Sequence, residues 1–190
     1  MLASINALAQ STVTSLTDAR HGKPGFKNGN TFSAAQFNYP AGIALDPSGT
    51  VMFVADYNNN AIRMVNSLGS QSSSITFSVY TNKNGINHPI GLAVDAATNI
   101  YVLNYANRTN GNLMVFNGSY LSYGIVSVTA TNATGLVNAA AITLDSLNNA
   151  YITVQSNTVI RVTPAGVTSV VGVITAAKTS LRGIAWMDNG

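Results

Sequence analysis

The sequence predicts an all-β chain: an arc of four-stranded antiparallel blades of the β-propeller type. Three observations carry that expectation. A segment pattern recurs at a near-constant period, since Asp46 to Asp95 is 49 residues and Asp95 to Asp145 is 50. Each copy holds four short runs of apolar, β-branched and aromatic residues separated by Asn, Asp, Gly and Ser, which is strand-and-turn chemistry. The 190 residues contain no Glu but 23 Asn, 18 Ser, 19 Thr and 16 Gly, a composition that favours turns over helices. Four strands per period of about 50 residues make a propeller blade.

In chain order, Met1–Gln10 is a segment of uncertain structure. Its Ala7-Leu8-Ala9 fits the small-residue cleavage pattern of a secretory signal. No basic residue precedes it, and its apolar part falls short of the roughly 7–15 residues of a signal core, so no signal peptide is read there. The remainder, 11–190, is one partial propeller. Ser11–Leu16 has the character of an outer strand from a preceding blade. The first blade is expected over 37–80, with strands at Pro40–Asp46, Val51–Asp56, Asn60–Val65 and Ile75–Tyr80. The second, over 86–130, has Pro89–Asp95, Asn99–Asn104, Asn112–Phe116 and Gly124–Thr129. The third, over 136–174, has Ala139–Asp145, Asn149–Val154, Asn157–Val162 and Gly166–Val171. Arg182–Trp186 opens a fourth copy as a flanking inner strand. One blade cannot bury both faces alone, and an arc leaves two blade faces open. The expectation is therefore a fragment of a longer polypeptide, or a chain whose neighbours or further copies cover those faces.

Composition excludes several classes. Without Cys there is no disulfide framework and no Cys-ligated zinc. With 8% charged residues the chain lacks the side chains of a coiled coil, while 46% hydrophobic residues argue against disorder. No apolar run approaches the roughly 18 residues of a membrane span. The net charge of +3 is a weak field over 190 residues, so nucleic acid is not the expected partner. The one basic cluster, Arg20, His21, Lys23 and Lys27, is broken by Gly and Pro and reads as a solvated loop.

The Pro-x-Gly-Ile-Ala-x-Asp, Val-Ala-Asp and Asn-x-Ile-Arg elements of Pro40–Val65 resemble the NHL repeat of bacterial-type NHL proteins. The preceding Gly22–Phe26 and Ala34–Pro40 are similar to the linker between their blades. The resemblance spans about 11–190 and fades along the chain: in the third copy Ala139, Ala140 and Val154 replace Pro, Ile and an acid or amide. It implies a propeller, usually six-bladed, that binds partners and is only sometimes an enzyme.

Candidate chemistry is sparse. Asp46, Asp95 and Asp145 each follow an inner strand; three carboxylates circling one face could collect a cation, but an Asp there ordinarily starts the turn by accepting from backbone two residues on. His21 and His88 are 67 residues apart, without zinc-ligand spacing. Propeller lyases of related sequence place His, Arg, Tyr or Glu around a central cavity, and no matching set is visible. Neither a nucleophile elbow nor a phosphate loop occurs. Arg63 and Arg161 are read as equivalent third-strand positions, with solvated heads, and Val115 as their counterpart in the second blade. Phe53, Tyr101 and Tyr151 are read as core between blades. Three sequons, at Asn107, Asn117 and Asn132, cluster around the second blade and are the N-glycosylation candidates if the chain is secreted from a eukaryotic cell.

The expected function is a non-enzymatic binding or structural module, extracellular or on the cell surface, without catalytic residues, cofactor or metal. Its loops, rich in Asn, Ser, Thr and Tyr, would meet protein or glycan partners, and its open blade faces would allow self-assembly. One alternative is a propeller lyase or hydrolase with catalytic residues outside this chain. The other is an RNA-binding NHL propeller that uses Arg63 and Arg161.

Overall fold

The computed structural model describes residues 23–30, 34–66, 75–105, 111–116, 128–134, 136–154, 157–175 and 181–187, with 75–78 and 128–134 described by backbone alone. Thirteen strands form three antiparallel sheets, and no α-helix occurs among the described residues. Blade 1 comprises β2 (Pro40–Leu45), β3 (Met52–Asp56), β4 (Ala61–Val65) and β5 (Ile75–Tyr80). Blade 2 comprises β6 (Pro89–Val94), β7 (Ile100–Asn104), β8 (Asn112–Phe116) and β9 (Val128–Thr134). Blade 3 comprises β10 (Ala139–Leu144), β11 (Ala150–Val154), β12 (Thr158–Val162) and β13 (Thr168–Val173). In each, every strand pairs with the next, in the order of a meander.

Four details depart from expectation. The linker before blade 1 contributes β1 (Gly29–Asn30), which pairs with β5 and makes that sheet five-stranded. The outer strand of blade 2 lies at Val128–Thr134 rather than Gly124–Thr129, and that of blade 3 at Thr168–Val173 rather than Gly166–Val171. In blade 3 the cause is a turn, Thr163 to Gly166, closed by Gly166 N–H donating to Thr163 C=O at 2.8 Å, with Gly166 at φ 82° where a side chain would be strained. Arg182–Trp186 adopts no strand, although it packs against blade 3. The anticipated strand at Ser11–Leu16 lies outside the described residues.

Repeat equivalence follows from the pairing registers. Phe53 pairs with Met64, Tyr101 with Val115, and Tyr151 with Arg161. On the same face, Phe53, Ala55, Ile62 and Met64 of blade 1 pack against Leu92, Ile100, Val102 and Met114 of blade 2. One period on, Tyr101, Leu103, Leu113 and Val115 pack against Ile142, Ala150 and Ile152. Each interblade core thus joins the trailing face of one blade to the leading face of the next, and alternation with period two sends neighbouring side chains to opposite cores. The expected core roles of Phe53 and Tyr101 follow, for both are nearly fully buried. Inner strands meet most closely at Gly42 and Gly91. A Cβ at Gly42 would lie 2.8 Å from the Ile90 carbonyl oxygen, and one at Gly91 3.0 Å from Ile142 Cγ2. Glycine lets the blades converge toward the axis.

The leading face of blade 1 has no blade before it among the described residues. Its outer half, Met52, Val54 and Val65, is covered by Phe37 of the linker. Its inner half is open: Ile43 is 65% and Leu45 54% exposed, while Leu92 at the position of Ile43 is 6% exposed.

Candidate functional site: the mouth of the central channel

The inner strands begin at one end of the blades, and their second residues, Ala41, Ile90 and Ala140, line a single open cleft of about 350 Å³. Arg182 occupies the same repeat position in the fourth copy and lines it too. Four repeat-equivalent side chains facing one space define the mouth of the central channel. Tyr57 and Tyr105, each the first residue after the second strand of its blade, form the rim with Tyr39 and Ala139.

Local backbone chemistry sets this rim. The residues just before the inner strands, Tyr39, His88 and Asn138, all have left-handed φ, at 60°, 48° and 55°. The chain thereby turns sharply from the linker into the sheet. His88 N–H donates to Asn60 Oδ1 at 2.8 Å, and Tyr105 N–H donates to the His88 carbonyl at 2.9 Å, which ties blade 2's rim to blade 1. The Tyr57 ring meets Tyr39 edge-on at 6.0 Å between centroids, His88 at 4.7 Å and Tyr105 at 6.4 Å. The rim is a connected aromatic surface whose rings brace each other. Among the described residues, the hydroxyls of Tyr39, Tyr57 and Tyr105 have no hydrogen-bond partner within the protein, and Arg182 has no ion pair. Among the described residues no carboxylate lines the cleft.

The three repeated aspartates lie at the opposite end of the inner strands and do not converge. Asp46 accepts from Thr50 N at 3.0 Å, Val51 N at 2.9 Å and Ser48 Oγ at 2.6 Å. Asp95 accepts from Ala97 N, Asn99 N, Asn99 Nδ2 and the Tyr101 hydroxyl, and Asp145 from Leu147 N, Asn149 N, Asn149 Nδ2 and the Tyr151 hydroxyl. Each carboxylate closes its own turn. Burial works against ionisation of Asp46 and Asp145, but these donors outweigh it and hold both below the ordinary carboxyl range. The Tyr101 hydroxyl, buried and facing Asp95, is pushed up to about 12, so it stays a donor.

Arg63 and Arg161 are not equivalent, and Arg63 is not solvated. Arg63 pairs with Val54, as Met114 pairs with Val102 and Ile160 with Ile152; Arg161 instead shares its position with Met64 and Val115. The two arginines lie on opposite faces of their blades. Arg63 is fully buried: Nη1 donates to Asp56 Oδ2 at 2.9 Å and to the Gln36 carbonyl at 2.8 Å, and Nη2 to the Lys27 carbonyl and Asn28 Oδ1. Its guanidinium lies 4.9 Å from the Phe26 ring centroid and 5.1 Å from that of Phe37. It is a staple that fastens the linker over blade 1.

Of the other candidates, His88 stands beside the mouth, whereas His21, Asn107 and Asn117 lie outside the described residues. Asn132 lies in β9. Tyr151 is half-buried and stacks on Trp186, 5.1 Å between centroids. No three His, Cys, Asp or Glu residues come together as a metal site among the described residues. The rim tyrosines and Arg182 escaped sequence reading. Their signal was the repeat alignment, because Tyr57 and Tyr105 follow the equivalent Asp56 and Asn104, and Arg182 stands in the column of Ala41, Ile90 and Ala140.

No protein-family model and no curated protein matches the chain. Solved structures do. A luciferin-regenerating enzyme aligns at 15% identity and TM-score 0.51, covering 74% of this chain and 50% of its own. A functionally unknown protein from Desulfotomaculum acetoxidans DSM 771 aligns at 21% identity and TM-score 0.51, covering 74% and 44%. Hydrazine synthase from Kuenenia stuttgartiensis aligns at 16% identity and TM-score 0.45, covering 64% and 32%. The chain therefore spans between about a third and a half of these proteins. At such identities the likeness establishes the fold, an all-β architecture of the propeller type.

Proposed function

We propose that this chain is a non-enzymatic binding module, part of an NHL-type propeller working at the cell surface or outside the cell, which holds a polar partner at the mouth of its central channel. The observation that carries the reading is the rim itself. Three tyrosines offer ring faces and hydroxyls that are unspent among the described residues, around a cleft open to solvent. Braced aromatic rings with polar tips give large contact area at little cost in side-chain entropy, and sugars and polar protein loops present both surfaces such rings engage. The NHL assignment rests on the Pro40–Val65 pattern. The RNA alternative uses Arg63 and Arg161 together, and Arg63 is withdrawn from any phosphate by its burial, while Arg161 lies on the opposite face of its blade. Self-association through open blade faces is a second mode of contact in this proposal, and on blade 1's leading face the linker over the outer half leaves the inner half for it.

A glycan array probed with the wild-type chain and with Tyr57→Ala/Tyr105→Ala tests the mouth. Saturable binding to one glycan class, abolished in the variant, is expected. A silent array, or binding indifferent to the two substitutions, overturns the glycan reading.

A further inference from the structure

We propose that the channel mouth selects a carboxylated sugar, a hexuronate unit of an acidic glycan, and that Arg182 is the residue that reads its charge. This deepens, and rests on, the binding role given to the mouth.

Three of the four equivalent inner-strand positions carry Ala41, Ile90 and Ala140, which are small or apolar and contribute no hydrogen bonds through their side chains. The fourth carries a guanidinium. Arg63, packed against blade 1, finds its partners inside the protein: Asp56 and three further acceptors. Arg182 has no such partner among the described residues, and its side chain is exposed at the cleft. Among the described residues no carboxylate lines the cleft, so the described lining carries one uncompensated positive charge, which favours an anionic ligand.

The shape of the donor set narrows the anion. A guanidinium presents a planar fork that matches a planar carboxylate through two parallel hydrogen bonds. A phosphate or sulfate group usually draws on further cations, and among the described lining residues Arg182 has no second cation beside it. The rest of the described lining is Ala139 and the three tyrosines. Tyr39, 73% exposed, Tyr57 and Tyr105 can take the C–H face of a pyranose and bond its hydroxyls. A carboxylate on a hydroxylated ring answers both halves of the site, whereas a simple carboxylate leaves the tyrosines unused and a neutral sugar leaves the arginine unused. The cleft, at about 350 Å³, has room for one or two such rings.

The test uses one ligand in two charge states. Tetragalacturonate is titrated into the full chain as the free acid and as its fully methyl-esterified form, with binding followed by calorimetry, and the series is repeated on Arg182→Gln and on Tyr57→Ala. The free acid is expected to bind about tenfold or more tighter than the ester, the size of effect a charged hydrogen-bonded pair commonly carries. Arg182→Gln is expected to erase that preference while leaving the ester's weak binding unchanged, and Tyr57→Ala to weaken both forms. Arg182 is exposed, so its substitution leaves the fold intact, which the unchanged melting curve checks. Equal binding of acid and ester, lost in Tyr57→Ala, overturns the charge reading and leaves the mouth a glycan site. Binding of neither form overturns the hexuronate proposal, and the array result then decides the broader reading separately.

Discussion

At the residue scale, the position that closes the second strand of each blade shows how one fold tolerates different chemistry. Asp56, Asn104 and Val154 are equivalent; they pair with Ala61, Asn112 and Thr158, and the residues two further along the third strand, diagonal to them on the same face, are Arg63, Met114 and Ile160. In blade 1 the diagonal pair is ionic. In blade 2 Asn104 Nδ2 instead approaches Met114 Sδ at 3.0 Å and donates to the Gly85 carbonyl at 3.1 Å. In blade 3 the pair is apolar. What the first two share is the anchoring of the incoming linker: Asp56 Oδ1 accepts from Asn38 N at 2.7 Å, and Asn104 Oδ1 from Asn87 N at 3.2 Å. The ion pair is thus replaceable in principle by the pair next door. Removing one partner alone is another matter, because a buried charge without its counter-ion costs about 3–5 kcal/mol. Arg63→Met alone should lose stability on that scale in urea denaturation, and Asp56→Asn with Arg63→Met, which copies blade 2, should recover more than half of the loss. A double variant as unstable as the single one would mean that Arg63 acts through its linker carbonyls and the Phe26 and Phe37 rings rather than through Asp56.

At the scale of strands, the repeat makes each blade a control for the others. Ile43, Leu92 and Ile142 occupy one position on successive inner strands, but among the described residues only Leu92 and Ile142 have a blade in front of them. Leu92→Ala should therefore cost about 2–5 kcal/mol, the usual range for emptying a packed core site, and Ile43→Ala within about 0.5 kcal/mol, as for an exposed residue. Chemical denaturation of the two variants checks this, and equal losses would show that Ile43 is covered in solution. The same repeat explains what sequence could yield. Period, strand character and the turn aspartates are written in local residue types, so the inner three strands of each blade are legible. Outer strands are less so, because the runs between the third and fourth strands offer Ser and Val in several possible registers. The pairing of Arg63 with Arg161 failed for a geometric reason. Four residues join Asp56 to Ala61, whereas three join Val154 to Thr158. A one-residue difference in a hairpin moves the next strand's side chains to the other face. The channel mouth was illegible in any single copy because it is assembled from residues of all four copies.

At the scale of the whole molecule, the arc presents two ends of different character. The trailing end of blade 3 lies beneath the chain's own C-terminal segment, where Trp186 stacks on Tyr151 and its N–H donates to Thr143 Oγ1 at 3.2 Å. Trp186 there does what Val94 does over Phe53 and Leu144 over Tyr101, so the segment serves as the next blade's inner strand in packing without strand pairing. The leading end is capped differently, by linker residues pinned through Arg63, and that cap stops short of the axis. Ile43 and Leu45 consequently present an apolar strip with the spacing that Leu92 and Val94 use to bury themselves against a blade. Exposed apolar surface of this regularity is a contact surface in waiting. If a second copy covers it, sedimentation should show concentration-dependent association, and Ile43→Lys with Leu45→Lys should return the chain to monomer without lowering its stability, since neither side chain is packed within the subunit. A wild-type chain that stays monomeric at every concentration would remove self-association from the reading and leave the strip to a different partner.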